Sequence, residues 1–379
     1  MKISEILKKD ELSKDDLLAL MKIDNEKDLQ LLFDKAYEVK LKYIGNNVYY
    51  RGLVEFSNIC IKNCKYCGIR RDNSNVERFA MSKEDILNSA KWIYENGYGS
   101  MALQSGERTD EKFIDFVEDI VKEIQKMTNN GLGITLSVGE QSLETYKKWR
   151  KAGATRYLLR IESTNRELFE KIHPKDELHS FEKRLQGLKD LREAGYQVGT
   201  GVMIGLPGQT EEDLVNDIIF FKENDIDMIG MGPYILHDET PMGKEFKNSV
   251  LSKEKRVELG LKMIAICRIY MKDINIAATT ALQGLDPMGR EKGILAGANI
   301  IMPSATKTSE RVKYQLYNGK PAINDDAEKG KKSLEESLAK IGENIVYGKR
   351  GDSPHFFFKR KRIMCKKIIL NYYYFFIFF

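Results

Sequence analysis

Three observations predict an α/β fold, a closed (β/α)8 barrel of the TIM type with helices before it and a short helix after it. From about residue 50, short β-rich runs alternate with longer amphipathic stretches. Eight strand–helix units occupy roughly 250 residues, the size of such a barrel. Polar, glycine-rich sequence follows the strands and not the helices, and a barrel gathers such loops on one face. Periodicity alone also fits a doubly wound open sheet.

The elements follow in order. Residues 1–48 read as helices, with polar starts at Ser4 and Ser13 and apolar positions Leu17, Leu18, Leu20 and Met21. The strands are expected at Leu53–Phe56, Met101–Leu103, Gly133–Leu136, Arg156–Ile161, Val198–Ile204, Met228–Gly232, Ile276–Thr280 and Asn299–Met302. Between them, Ser82 with Asp85 and Thr210 with Asp213 have capping-box spacing, and Gly97, Gly153 and Gly195 end helices. The barrel spans 49–320, and a closing segment over 321–355 contains a short helix at 333–342. Residues 356–379 form a basic-aromatic tail, expected to be unstructured.

Composition narrows the function. A 42% hydrophobic and 31% charged chain reads as globular, and no apolar run reaches the length of a membrane span. The charged N-terminus lacks the apolar core of a signal peptide, so the cytoplasm is the expected compartment. The net charge of +5 is misleading, because the tail carries six cations and no acid, leaving residues 1–355 at −1. Nucleic-acid binding is discounted on that ground.

Three of the five cysteines, Cys60, Cys64 and Cys67, lie within eight residues at C-x3-C-x2-C spacing, directly after the first strand. Clustered thiols in such a chain argue for metal ligation over disulfides. Thiolates suit zinc or iron–sulfur clusters. Structural zinc needs a fourth ligand, and no Cys or His is nearby in sequence. Three ligands on a four-iron cube leave one iron open to a substrate, whereas an electron-transfer or structural module would protect all four. Cys267 falls in an apolar helical stretch and reads as core, and Cys365 lies in the tail.

This spacing resembles that of the radical SAM superfamily, which implies one 4Fe–4S cluster and S-adenosylmethionine, cleaved by one electron to methionine and a 5′-deoxyadenosyl radical. By the same resemblance Tyr66 is an adenine-side contact. Ser105-Gly106-Glu107 resembles the motif that binds the methionine amino end, with one Gly replaced by Ser. Gly201-Val202-Met203-Ile204-Gly205 resembles the adenine-binding motif of the fifth strand. The segments E-F-S-N-I-C-I-K-N-C-K-Y-C-G-I-R-R-D-N, L-Q-S-G-E, T-L-S-V-G-E, R-Y-L-L-R-I-E-S, G-L-P-G-Q-T, M-G-P-Y-I, A-A-T-T-A and N-I-I-M-P together resemble the HydE family, radical SAM maturases of FeFe hydrogenase.

That closer resemblance implies a part in building the dithiomethylamine bridge of the hydrogenase di-iron site. It implies a small organometallic, amino-acid-derived iron–cysteine substrate made by a sister radical SAM maturase, and a product passed to a scaffold GTPase. A low-potential donor of ferredoxin or flavodoxin type would supply the electron. Thr135, Glu162 and Arg184 match positions that hold S-adenosylmethionine, and Arg160, Thr279 and Thr280 match positions lining a lower substrate cavity. Two departures stand out: Ile161 replaces a His common in the family, and three further cysteines found in many members are absent. Methylornithine synthase and biotin synthase are the sister alternatives. The C-G-I-R-R-D-N run disfavours the first, and the missing cysteines disfavour the second.

Overall fold

Eight parallel strands form one curled sheet in the computed structural model, which describes residues 2–321 and 327–359. They are β1 (Asn47–Ser57), β2 (Ser100–Ser105), β3 (Gly133–Ser137), β4 (Arg156–Leu158), β5 (Gln197–Thr200), β6 (Met228–Ile229), β7 (Asn275–Ile276) and β8 (Ile300–Ile301). Their order is β8-β1-β2-β3-β4-β5-β6-β7. The expected closed barrel is thus met as a partial, TIM-like one. Between β7 and β8 there is no ladder, only the bridge Ala277–Ile300 with Asn299 N–H to Ile276 O and Ala278 N–H to Ile300 O, each 2.9 Å.

The strand ends differ from expectation where chemistry takes over. The β4 ladder stops at Leu158, and Glu162 rejoins its neighbour by a lone bridge to Val202. The fifth expected strand splits, with Met203–Ile204 pairing separately with Gly232–Pro233. The break falls at Gly201, where an added Cβ would lie 2.0 Å from Gly230 O. Thr279 is not strand but the N-cap of a helix over Thr280–Leu285.

Helices cover the outside of the sheet. Ser82 and Thr210 accept from Asp85 N–H and Asp213 N–H as their spacing predicts. Ser13 caps Lys14–Met21, but Ser4 starts nothing, because its helix begins at Ile3. Helix Glu26–Tyr43 is tied to the segment after the last long helix by the fully buried pair Lys40–Glu343 at 2.7 Å. Cys267 is fully buried in helix Lys253–Met271.

The chain returns to seal the end of the sheet opposite the cysteines. Asn344–Val346 pairs with Asn47–Tyr49, and Asp352 then reaches the buried Arg156 at 2.5 Å and Gln197 at 2.7 Å. Gly351 O accepts from Arg51 and Asn275. Burial pushes the Asp352 carboxyl up, but the Arg156 guanidinium outweighs it and holds it below the usual range. Asp352→Ala leaves Arg156 buried without its carboxylate and is expected to cost roughly 3–5 kcal/mol in urea unfolding near neutral pH. A depressed carboxylate stabilises above its unfolded pKa of about 3.9 and loses that contribution as pH falls through the lower folded value. The gap between variant and wild type should therefore close in acid.

The tail departs from expectation at its start. Residues 354–359 are helical, Phe356 is buried, and Lys359 pairs with Asp225. His355 lies between Asp225 at 2.8 Å and Asp273 at 3.2 Å. Residues 360–379, with Cys365, lie outside the described residues. Truncation after Lys359 keeps this clasp and should leave the melting temperature unchanged, whereas truncation after His355 removes Phe356 and should lower the melting temperature by several degrees. Among the described residues, no helix is long and apolar enough to cross a membrane.

Candidate active site

The carboxyl ends of the strands open on a cavity of about 360 Å³, lined by Cys60, Cys64 and Cys67. The cysteines sit on the loop between β1 and helix Lys83–Glu95, whose ends are pinned by the bridge Ser57–Ala80 and by Phe79 N–H to Asn58 Oδ1 at 2.8 Å. The loop packs on Gly106, where an added Cβ would stand 2.3 Å from Ile59 O. Glu107 N–H donates to Cys60 Sγ at 3.4 Å.

Burial pushes all three thiols up, Cys64 to about 12, while Arg184 and Lys62 pull Cys64 back. Thiolates here would need more positive charge, as bound iron would supply. No fourth cysteine and no histidine lines the cavity among the described residues. Nor is any group of three His, Cys, Asp or Glu side chains there drawn together as a single metal ion needs. A cube instead spreads three thiolates over three irons, so the donor set fits a site-differentiated 4Fe–4S cluster.

A buried chain of charges lies beside the thiols. Lys62 Nζ reaches Glu140 at 2.8 Å and Glu107 at 3.2 Å, and donates to Leu178 O. Arg184 pairs with Glu140 and donates to Arg160 O. At 7% exposure Arg184 is no solvated helix charge. Burial raises the Glu107 carboxyl; it also pushes Glu140 up, but Arg184 and Lys62 outweigh it and hold Glu140 low.

The exit of β4 supplies the second polar group. Glu162 takes φ +68°, a left-handed conformation costly for a residue with a Cβ. It is held by Glu162 N–H to Gly201 O and Met203 N–H to Glu162 O, each 3.0 Å. Arg160 Nη2 donates to Val202 O at 2.9 Å and stands 3.0 Å from Glu162 Oε2. That ion pair is not aligned as a hydrogen bond, so Glu162 Oε2, Arg160 Nε and also Thr279 Oγ1 stay without hydrogen-bond partners. All three residues line the cavity, and orphaned polar atoms on its wall suit a polar ligand. Thr280 lines it too, its Oγ1 accepting from Arg290 Nη2 at 3.2 Å.

Most expected residues therefore meet in one place: the three cysteines, Tyr66, Ser105, Gly106, Glu107, Arg160, Glu162, Arg184, Thr279 and Thr280. Tyr66 packs edge-on against His173, ring centroids 5.5 Å apart. Three do not line the cavity. Thr135 is buried lower in the sheet, where its Oγ1 accepts from Arg156 Nε at 3.1 Å; Ser137, one period-two step on, takes the cavity position. Gly201 shapes backbone packing, and Gly205 donates its N–H to Gln209 Oε1 in a turn. Sequence reasoning missed Lys62, Glu140 and the wall pair Glu55–Lys320. Lys62 stood between two cysteines and Glu140 closed T-L-S-V-G-E, so both lay inside quoted motifs.

Parallel strands around a cavity with three thiols at its mouth define a radical SAM enzyme, and the profile of the Radical SAM superfamily matches residues 54–221. The chain is 45% identical over 322 residues to the [FeFe] hydrogenase maturase subunit HydE of Thermotoga maritima, covering 85% of this chain and 88% of that one. It is 30% identical to the 3-methylornithine synthase of Methanosarcina acetivorans, over 80% and 83% of the two chains. Among solved structures, a methylornithine synthase superposes with TM-score 0.75 at 23% identity, covering 91% of this chain and 97% of that one. The FeFe-hydrogenase maturase HydG from Carboxydothermus hydrogenoformans gives 0.74 at 23%, covering 91% and 79%. At those identities the structures speak for the fold alone. The chain belongs to the radical SAM superfamily and, within it, to the HydE family.

Proposed function

We propose that this chain is a radical SAM maturase acting in assembly of the dithiomethylamine bridge of FeFe hydrogenase. The observation that carries the reading is one cavity lined both by three thiols and by Arg160, Glu162 and Thr279, with polar atoms left unpaired. Its 45% identity to the Thermotoga maritima maturase selects the pathway.

Cys60, Cys64 and Cys67 would hold a single 4Fe–4S cluster, and the cavity they line would hold S-adenosylmethionine beside it. Reduced and bound here, the cluster and S-adenosylmethionine would supply one-electron reductive cleavage of the sulfonium C5′–S bond. Lys62 and Arg184 place two cations beside the thiols, balanced by Glu107 and Glu140, so the added ligands enter an environment of fixed charge. Arg184, which lines the cavity while pairing with Glu140, would face the cofactor carboxylate, and Glu162 Oε2, ion-paired with Arg160 but without a hydrogen bond, would accept from an ammonium or a ribose hydroxyl. Ser105 and Gly106 bring backbone to the mouth of the cavity, and Tyr66 walls the adenine side.

Further down, Arg160, Thr279 and Thr280 would take the carboxylate of an amino-acid-derived iron–cysteine complex. Leu53, Met203 and Ala277 line the rest with apolar surface that excludes water. A ferredoxin- or flavodoxin-type donor, a sister maturase and a scaffold GTPase complete the pathway in the cytoplasm.

The test is anaerobic incubation of the reconstituted protein with dithionite and S-adenosylmethionine, followed by assay for 5′-deoxyadenosine and methionine. Both should form in equal amounts. Their absence from fully iron-loaded protein would overturn the enzyme reading, and failure to support hydrogenase maturation in coexpression would overturn the pathway.

A further inference from the structure

All three thiols lie on residues 58–79, a stretch with neither helix nor strand. Its carbonyls therefore have no ladder to join, and buried backbone groups must find partners elsewhere. One side chain takes five of them. Arg78 Nη1 donates to Asn58 O and Ile69 O, each at 2.8 Å. Its Nη2 donates to Arg70 O at 2.6 Å, Arg71 O at 3.1 Å and Asn73 O at 3.2 Å. Asn58 stands two residues before Cys60, and Ile69 two residues after Cys67. A single guanidinium thus ties the exit of β1 to the segment that follows the third cysteine.

The chemistry of the group suits this task. Guanidinium is planar and presents its N–H donors in a fixed fork, whereas a lysine ammonium is one point on a flexible stem. Arg78 makes no ion pair among the described residues, so its contacts are to backbone, and no carboxylate competes for it. Nearby bonds reinforce the arrangement: Arg71 N–H to Lys62 O at 2.8 Å and Asn73 Nδ2 to Gly68 O at 2.7 Å.

We propose that Arg78 is the positioning residue that preforms the cysteine loop, holding Cys60, Cys64 and Cys67 in place before iron arrives and closing the loop around the cluster afterwards. It touches neither substrate nor reacting atoms; it acts through the backbone that carries the thiols. That these thiols hold a cluster is the function proposed above, and the first readout below does not depend on it.

Hydrogen exchange on metal-free protein tests the preformed loop. In wild type, the amides of Cys67, Arg70, Arg71 and Asn73, which donate within the loop, should be protected. In Arg78→Ala they should exchange at least about tenfold faster while β2–β5 stay unchanged. Reconstituted Arg78→Ala should then lose iron to a chelator at least about tenfold faster than wild type, with Arg78→Lys between the two. An unprotected loop in metal-free wild type, or protection unchanged in Arg78→Ala, would overturn the proposal. So would loss of protection spreading through the barrel, which would make Arg78 a residue of general stability. If Arg78→Ala fails to fold, Arg78→Lys carries the same comparison. A loop that loosens on substitution in a protein that never takes up iron would instead sink the cluster reading and leave the loop assignment standing.

Discussion

Cys64→Ser is expected to reduce 5′-deoxyadenosine formation to background in anaerobically reconstituted protein, at least about a hundredfold below wild type. Losing an outer partner of a metal ligand already costs about 10–100-fold, and here the ligand itself goes. A serine hydroxyl is harder and far less acidic than a thiol, and suits an iron–sulfur cube poorly. The cavity offers no replacement cysteine or histidine among the described residues. The fold should survive, because Cys64 sits on a loop at the cavity mouth and only Cys67 of the three packs against the main core. Melting temperature should move by no more than a few degrees. Iron should fall well below the about four per chain of one cube, which wild type should reach. Full cleavage by the variant would remove these thiols from the chemistry. Iron well above four per chain, with a second spectroscopic species surviving loss of Cys60, Cys64 and Cys67, would show that the count of one cluster is too low.

The thiols were legible in the sequence because three ligands on one short loop are a local pattern. Arg160 and Glu162 were legible only through the family resemblance, since the β4 ladder ends at Leu158 and strand period does not reach them. The structure adds that Glu162 is off the ladder at positive φ, which no period could show. Thr135 illustrates the limit. Its strand follows from the sequence, but its height in the barrel depends on register with β4, where Arg156 lies opposite and claims its hydroxyl. The open seam was likewise beyond reach, since strand count and length predict closure while β7 and β8 meet only through one bridge. Partners across long separations were the hardest to see. Lys62–Glu140, Arg184–Glu140 and Asp352–Arg156 join residues 78, 44 and 196 positions apart. Each is a pairing that tertiary structure alone creates.

Arg160→Leu should leave iron content and cluster spectrum as in wild type, yet lower hydrogenase activity in a coexpression maturation assay by about one to two orders of magnitude. The guanidinium lies on the cavity wall and contacts Val202 O and Glu162 rather than the cysteine loop, so cluster assembly has no need of it. Its present contacts do not exhaust it: Nη2 serves Val202 O and lies near Glu162, while Nε is buried with no partner. A charge-assisted contact to an anionic substrate is worth about 1.5–3 kcal/mol, which at about 1.4 kcal/mol per tenfold gives the stated range. Leucine matches much of the buried stem but leaves Glu162 without a neighbouring cation. Some loss of S-adenosylmethionine binding is therefore expected as well. Two measurements separate these effects. Uncoupled 5′-deoxyadenosine formation at saturating S-adenosylmethionine should stay within a few fold of wild type, because the thiols, Lys62 and Arg184 remain. Arg160→Lys, which restores charge without the planar fork, should recover only part of the maturation activity. Wild-type hydrogenase activity with Arg160→Leu would mean that the charge serves the fold alone. Equal collapse of uncoupled cleavage would move Arg160 from the substrate to the cofactor.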